Sequence, residues 1–114
     1  MIVKKLHEVP LADTTGYENV TKQVVIGPDD GSGEIVLRYF TLEPGGASPY
    51  HSHDFPHLVR VERGNGLHQD KDKKQTPIQA GDFVFVPENE VHNFVNVGAE
   101  PFEFICIVPG RGEG

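Results

Sequence analysis

Residues 49–57 read Pro49-Tyr50-His51-Ser52-His53-Asp54-Phe55-Pro56-His57. Three imidazoles therefore fall within seven residues. On an extended chain the side chains alternate with period two, so His51 and His53 face the same way. His57 has the same parity and joins them if the chain stays extended past Pro56. Downstream, Val59 and Val61 continue that parity while Arg60 and Glu62 take the opposite one. Alternation thus predicts a strand whose inner face carries His57, Val59 and Val61 and whose outer face meets water. A His-x-His pair alone is more often a solvent-facing strand than a metal site; what surrounds the pair has to decide.

Working outward, short runs rich in Val, Ile, Phe, Tyr and Thr occupy 21–26, 34–43, 58–62, 83–86, 92–97 and 102–108. These residue types suit a pleated, half-buried surface. Thirteen glycines and nine prolines punctuate the chain between the runs. No long stretch carries a sustained apolar period near 3.6 residues. The composition of 29–33 and of Gly64-Asn65-Gly66 predicts turns, and the mixed-charge run Asp70-Lys71-Asp72-Lys73-Lys74 predicts a solvated hairpin tip. Many short strands at even spacing predict an all-β sandwich or barrel.

The whole chain, 114 residues, suffices for one compact domain spanning 1–114. Ten basic residues stand against seventeen acidic ones, a formal net charge of −7, with no basic cluster. That balance argues against nucleic acid and against an anionic membrane surface. No apolar run is long enough to span a bilayer, and no apolar h-region follows Lys4 and Lys5, so the expected compartment is the cytosol. The single cysteine, Cys106, cannot close an internal disulfide.

The flanks of the histidines form two spaced sets. Gly45, His51, His53, His57 and Gly64 fit Gly-x5-His-x-His-x3-(Glu)-x6-Gly, with His57 at the glutamate position. Gly81, Pro87, Asn89, His92 and Asn96 fit Gly-x5-Pro-x-(Gly)-x2-His-x3-Asn, with Asn89 at the second glycine. In these spacings the chain, over roughly 36–108, resembles the cupin superfamily. The resemblance implies a double-stranded β-helix, or jelly-roll barrel, with a metal held by residues of both motifs. Asparagine tolerates a left-handed backbone, so Asn89 should preserve the turn. His57 in place of glutamate removes the one anionic ligand. The sequence is therefore similar to small stand-alone cupins with an all-histidine site, some of which bind manganese.

The implied ligands are His51, His53, His57 and His92, holding one divalent transition metal ion: Mn, Fe, Ni, Cu or Zn. Imidazole suits Zn, Cu, Fe and Ni, and the resemblance adds manganese. Four ligands on an octahedral ion leave two positions for a substrate. With only neutral ligands the ion keeps its full charge and acts as a stronger Lewis acid. Model histidine titrates near pH ~6.5, so acid should displace the metal in that region.

Parity on the last strand points Phe102, Phe104, Cys106 and Val108 inward and Glu103 outward. Phe94 shares the parity of His92. Phe94, Phe104 and Cys106, with Phe40 as a further candidate, are the candidate pocket lining, an apolar wall of the kind small-molecule sites use; Cys106 is expected as a small buried hydrophobe. Alternation leaves the direction of Arg38 open, and an outward, solvated or interface arginine is the expectation. His7 and His68 lie outside both motifs and read as surface or structural residues. No residue reads as a dedicated catalytic base.

Three classes follow in order: a metal-dependent, dioxygenase-like oxidoreductase on a small organic substrate; a non-redox isomerase using the ion as Lewis acid, which would want an inward Lys, Glu or Arg; and a binding or sensing module. Apolar residues on both faces of 34–43 and 102–108 predict a homodimer, with 1–10 exchanged or packed between subunits. The tail 110–114 is expected to fray.

Overall fold

A computed structural model describes residues 1–112 of the chain. Its described residues form eight strands: β1 (Glu18–Ile26), β2 (Ile35–Ala47), β3 (His57–Arg63), β4 (Asn65–Gln69), β5 (Gln75–Gln79), β6 (Phe83–Val86), β7 (Asn93–Val95) and β8 (Phe102–Pro109). All strand pairings among the described residues are antiparallel, in the order β5-β4-β7-β2-β8-β3-β6, with β1 added on β2. β2 spans the molecule: its first part pairs with β1 and β8, and Ala47 at its end pairs with Val95 of β7. The sheet therefore curls on itself, and the all-β barrel expected from strand spacing is the architecture found.

Alternation sets the inner face of each long strand. On β2 Val36, Arg38, Phe40 and Leu42 are buried; on β3 His57, Val59 and Val61; on β8 Phe102, Phe104, Cys106 and Val108. Val36, Leu42, Val61, Val86, Phe102 and Val108 are essentially without exposure and form the core with Phe94 and Ile78. Full burial of each such side chain is worth about 1.5–3 kcal/mol.

Two glycines allow strands to close over this core. Gly64, between β3 and β4, has φ +81°, and a Cβ there would collide with the Pro101 carbonyl oxygen. At Gly66 a Cβ would collide with the Phe102 ring, so the missing side chain lets β4 lie flat on the largest core residue.

Several boundaries differ from the sequence reading. Asn65 and Gly66 begin β4 rather than completing a turn. The β4–β5 hairpin has few β-branched or aromatic residues and carries Pro77, so propensity did not mark it; pairing with β7 holds it in place. Its tip is exposed over 71–74, as charge patterning predicts, with the half-buried Asp70 accepting from the amides of Asp72 and Lys74. β2 runs on through Pro44-Gly45-Gly46, where turn residues suggested an end.

Segment 1–10 holds no strand. It forms a 3-10 turn at Leu6–Glu8, tied to the barrel by Lys4 on Asp30 at 2.8 Å and by Gln23 on the Leu6 and Val9 carbonyls. In the tail, Gly110–Gly112 forms a 3-10 turn against Phe55; residues 113 and 114 lie outside the described residues.

Candidate metal centre

The segment 48–53 enters the barrel mouth and is laced to 89–94. Ser48 N donates to the Phe94 carbonyl at 3.0 Å, and Phe94 N donates to Ser48 Oγ at 2.9 Å. His51 and His92 form an isolated antiparallel bridge, each amide donating to the other's carbonyl at 3.2 and 3.1 Å. Asn89 has φ +67° and donates its amide to the His53 carbonyl at 2.6 Å. The left-handed residue of the second motif thus fixes the backbone of the first. Asn96 completes the join. Its side-chain amide donates to the carbonyls of Leu42 and Glu100 and its oxygen accepts from Gly98, while its backbone bridges Gly45 and Gly46.

This lacing brings all four expected histidines to one place. Ring centroids lie 4.2 Å apart for His51 and His53, 5.2 Å for His53 and His57, and 4.9 Å for His57 and His92. His51 and His53 stand 6.2 and 6.0 Å from His92. His57 and His92 are buried, and His51 and His53 are half-buried. As they stand, no three His, Cys, Asp or Glu side chains among the described residues meet the spacing of a formed metal cage. His51 Nε2 and His53 Nε2 share a hydrogen bond at 2.7 Å, so one proton sits between two nitrogens that point at the same spot. Closing four rings on one ion takes side-chain rotation within this cluster.

The donor chemistry fits a cation. His92 Nδ1 lies 2.9 Å from the Glu90 carbonyl, which can only accept. The proton is therefore on Nδ1 and the lone pair on Nε2, the arrangement of a ligating imidazole held by a backbone oxygen. His51 Nδ1 and His57 Nδ1 are buried with no hydrogen-bond partner. Burial, with the neighbouring rings and Arg38 adding, pulls the His53 pKa to about 4 and that of His57 to about 3. Burial likewise lowers His92. These imidazoles keep their lone pairs available well below the pH of ordinary histidine.

The rings open on a cavity of about 40 Å³, walled by Phe40, Phe94, Phe104 and Cys106 together with Tyr17, Arg38, Ser48 and Pro49. Phe40, Phe94, Phe104 and Cys106 all stand on that wall. Arg38 corrects an expectation: it points inward, is buried, and places Nη2 3.0 Å from Cys106 Sγ with its guanidinium 5.1 Å over the Phe40 ring. Its neighbours in β2 alternate correctly with it inward; the apolar residues on the outer face hid this.

Two more residues border the histidine cluster. His68 on β4 is half-buried, its ring 6.4 Å from His92 and 5.2 Å from Phe94. The surface or structural role expected for it is thus corrected to a place beside the cluster, because β4 has few β-branched or aromatic residues and parity gives His68 no direction. Phe55 stacks on His53 at 4.7 Å and backs His57 at 5.1 Å. His7 is exposed on the N-terminal turn.

Such a barrel, with two histidine-bearing segments bridged at its mouth, is a cupin, and the chain belongs to that family: residues 38–108 match its model, described as a cupin domain. Among curated proteins it is 32% identical over 92 residues to a 1-methylthio-D-xylulose 5-phosphate methylsulfurylase of Rhodospirillum rubrum, covering 81% of this chain and 57% of that one. It is 26% identical to auxin-binding protein 1 of Arabidopsis thaliana, covering 94% of this chain and 58% of the other. The chain thus spans little more than half the length of these two relatives. Among solved structures, the polyketide cyclase RemF from Streptomyces resistomycificus superimposes with TM-score 0.90 at 25% identity, over 96% of this chain and 80% of that one.

Proposed function

We propose that the protein is a metal-dependent cupin in which His51, His53, His57 and His92 hold one divalent transition metal ion and the cavity beside them takes a small organic substrate. The observation that carries this reading is the convergence of four imidazoles, from both halves of the laced mouth, on one small cavity. When bound, the ion supplies Lewis acidity that polarises a substrate oxygen. Manganese, iron, nickel, copper and zinc all remain compatible with such a ligand set.

The chain's own residues do the rest. The Glu90 carbonyl holds the tautomer of His92. Phe40, Phe94 and Phe104 stack with centroids 4.7 and 5.3 Å apart and keep bulk water from the inner wall. Arg38 supplies a fixed positive charge inside the barrel. An inward cation is the group the Lewis-acid reading needed, and it moves that class ahead of the oxidoreductase reading. A methylsulfurylase and a polyketide cyclase are among the similar proteins, and neither is named as an oxygenase. The oxidoreductase reading keeps one support, the aromatic, water-poor wall.

Metal analysis of purified protein tests the ligand assignment. We expect about one equivalent of a divalent ion per chain, lost in His53→Ala and His92→Ala. Full occupancy in both variants would end the assignment. Turnover by the metal-loaded protein without oxygen uptake separates the two reaction classes.

We also infer a homodimer. Phe83, Phe85 and Leu58 are 77%, 62% and 54% exposed on the outer face of β6 and β3. Leu58 lies beside Phe85 on one side and Ile107 on the other, and Ile107 lies beside Leu37. This apolar row crosses four strands, and a second copy of the same row is its natural cover.

A further inference from the structure

We propose that Phe55 is a positioning residue of the metal centre: its ring holds the planes of His53 and His57 and thereby sets how tightly the site takes a divalent ion. This inference deepens the metal-dependent reading and rests on it. Phe55 lies midway between the two histidines in sequence, in a segment, 54–56, that belongs to no strand. Even so it is 7% exposed and part of the core. Its ring lies almost flat on His53, with centroids 4.7 Å and planes 14° apart, and it flanks His57 at 5.1 Å and 43°. One apolar ring therefore touches two of the four imidazoles at once. Phe55 is not among the residues walling the cavity, so it acts through the ligands and not on a substrate.

The contact geometry gives this ring its effect. An imidazole stacked face to face cannot turn about its Cβ–Cγ bond without leaving the phenyl face, so the plane that holds its lone pair is fixed. An imidazole that gives its lone pair to a cation becomes electron-poor, and the negative face of a phenyl ring then attracts it more strongly. Only a contact that is stronger in the bound state than in the free one raises affinity, and this contact meets that condition. Phe55 is itself held by the turn after β8. A Cβ at Gly112 would fall 2.8, 2.9 and 3.0 Å from three atoms of its ring, so bare backbone lies against it. Arg111 Nη2 donates to the Asp54 carbonyl at 3.3 Å, and the Gly110 amide donates to the Glu34 carbonyl at 2.9 Å. The turn thus closes over the ligand loop and keeps the ring on its two histidines.

The test compares zinc affinity, by competition with a chelator, in the full-length wild type, Phe55→Leu and Phe55→Tyr. Leucine keeps apolar bulk without a flat face, and tyrosine keeps the flat face. We expect Phe55→Leu to bind zinc about tenfold more weakly, the scale of one aromatic contact, and Phe55→Tyr to stay within about threefold of the wild type. X-ray absorption of the zinc-loaded samples should show weaker imidazole multiple scattering in Phe55→Leu and the wild-type pattern in Phe55→Tyr. A mere loss of packing would lower the stability of the metal-free protein and move neither readout. If Phe55→Leu does not fold, Phe55→Met takes its place in both comparisons. Wild-type zinc affinity in the folded aliphatic variant, or an equal loss in Phe55→Tyr, would overturn the inference. The two readings fail differently. A wild type that takes no zinc refutes the metal centre and this inference with it, whereas a zinc-binding wild type matched by Phe55→Leu refutes the positioning role alone.

Discussion

At the level of single residues, the sequence reading worked wherever side-chain type and parity spoke together. His57, Val59 and Val61 alternate inward against Leu58 and Arg60, and Asn89 takes the left-handed backbone its position demands. Arg38 was misjudged because both faces of its strand are apolar, and only the closed barrel decides which face is inner. Glu103 shows a subtler difference. It faces outward as expected, yet it is partly covered, accepting from Tyr39 Oη at 2.8 Å and from Arg63 at 3.2 Å. Burial, then the bond to Glu103 and its charge, raise the Tyr39 pKa above the ordinary tyrosine range. The folded protein therefore keeps a proton that the unfolded chain sheds above pH ~10, so this contribution to stability is complete below that pH and fades as pH rises beyond it. Tyr39→Phe should cost about 1–2 kcal/mol at neutral pH and should flatten the alkaline loss of stability. Chemical denaturation of both proteins at pH 8 and above checks this. A wild-type phenolate that titrates near the ordinary value by ultraviolet absorbance would contradict it.

At the level of elements, β1, β3, β6 and β8 were legible because β-branched and aromatic residues fill them. β4 and β5 were not, since glutamine, histidine and proline give no propensity signal and their stability comes from pairing with β7 and from Phe102 beneath Gly66. The clamp between the two sheet halves was visible only as a motif asparagine. Its physical content is Asn96, 1% exposed, holding Leu42 and Glu100 by their carbonyls. Asn96→Ala leaves buried carbonyls without donors and should cost about 2–5 kcal/mol. Because Asn96 also sits beside the Gly45–Gly46 crossing, the variant should lose order at the barrel mouth first. Amide hydrogen exchange at 45–53 and 89–96 reads that directly, and unchanged protection there would show that the clamp is dispensable.

For the molecule as a whole, the candidate site lies at one end of a curled sheet and the exposed apolar row lies on its outer surface. The sequence could anticipate the row as apolar residues on both faces of a strand, but not which residues shared it, because that depends on the register of β6, β3, β8 and β2. Among the described residues no helix is long and apolar enough to cross a membrane. The homodimer inferred from the row predicts twice the chain mass in light scattering at micromolar concentration. Replacing both Phe83 and Phe85 by lysine should give a folded monomer with its metal content intact; a wild-type monomer at that concentration would refute the assembly.

The proposed metal centre requires four imidazoles to share one ion. X-ray absorption at the zinc edge of the loaded full-length protein measures this most directly. The account predicts a first shell of nitrogen and oxygen only, with multiple-scattering features of about four imidazoles, and no sulfur contribution from Cys106. A sulfur scatterer, or a shell with two imidazoles or fewer, would contradict it.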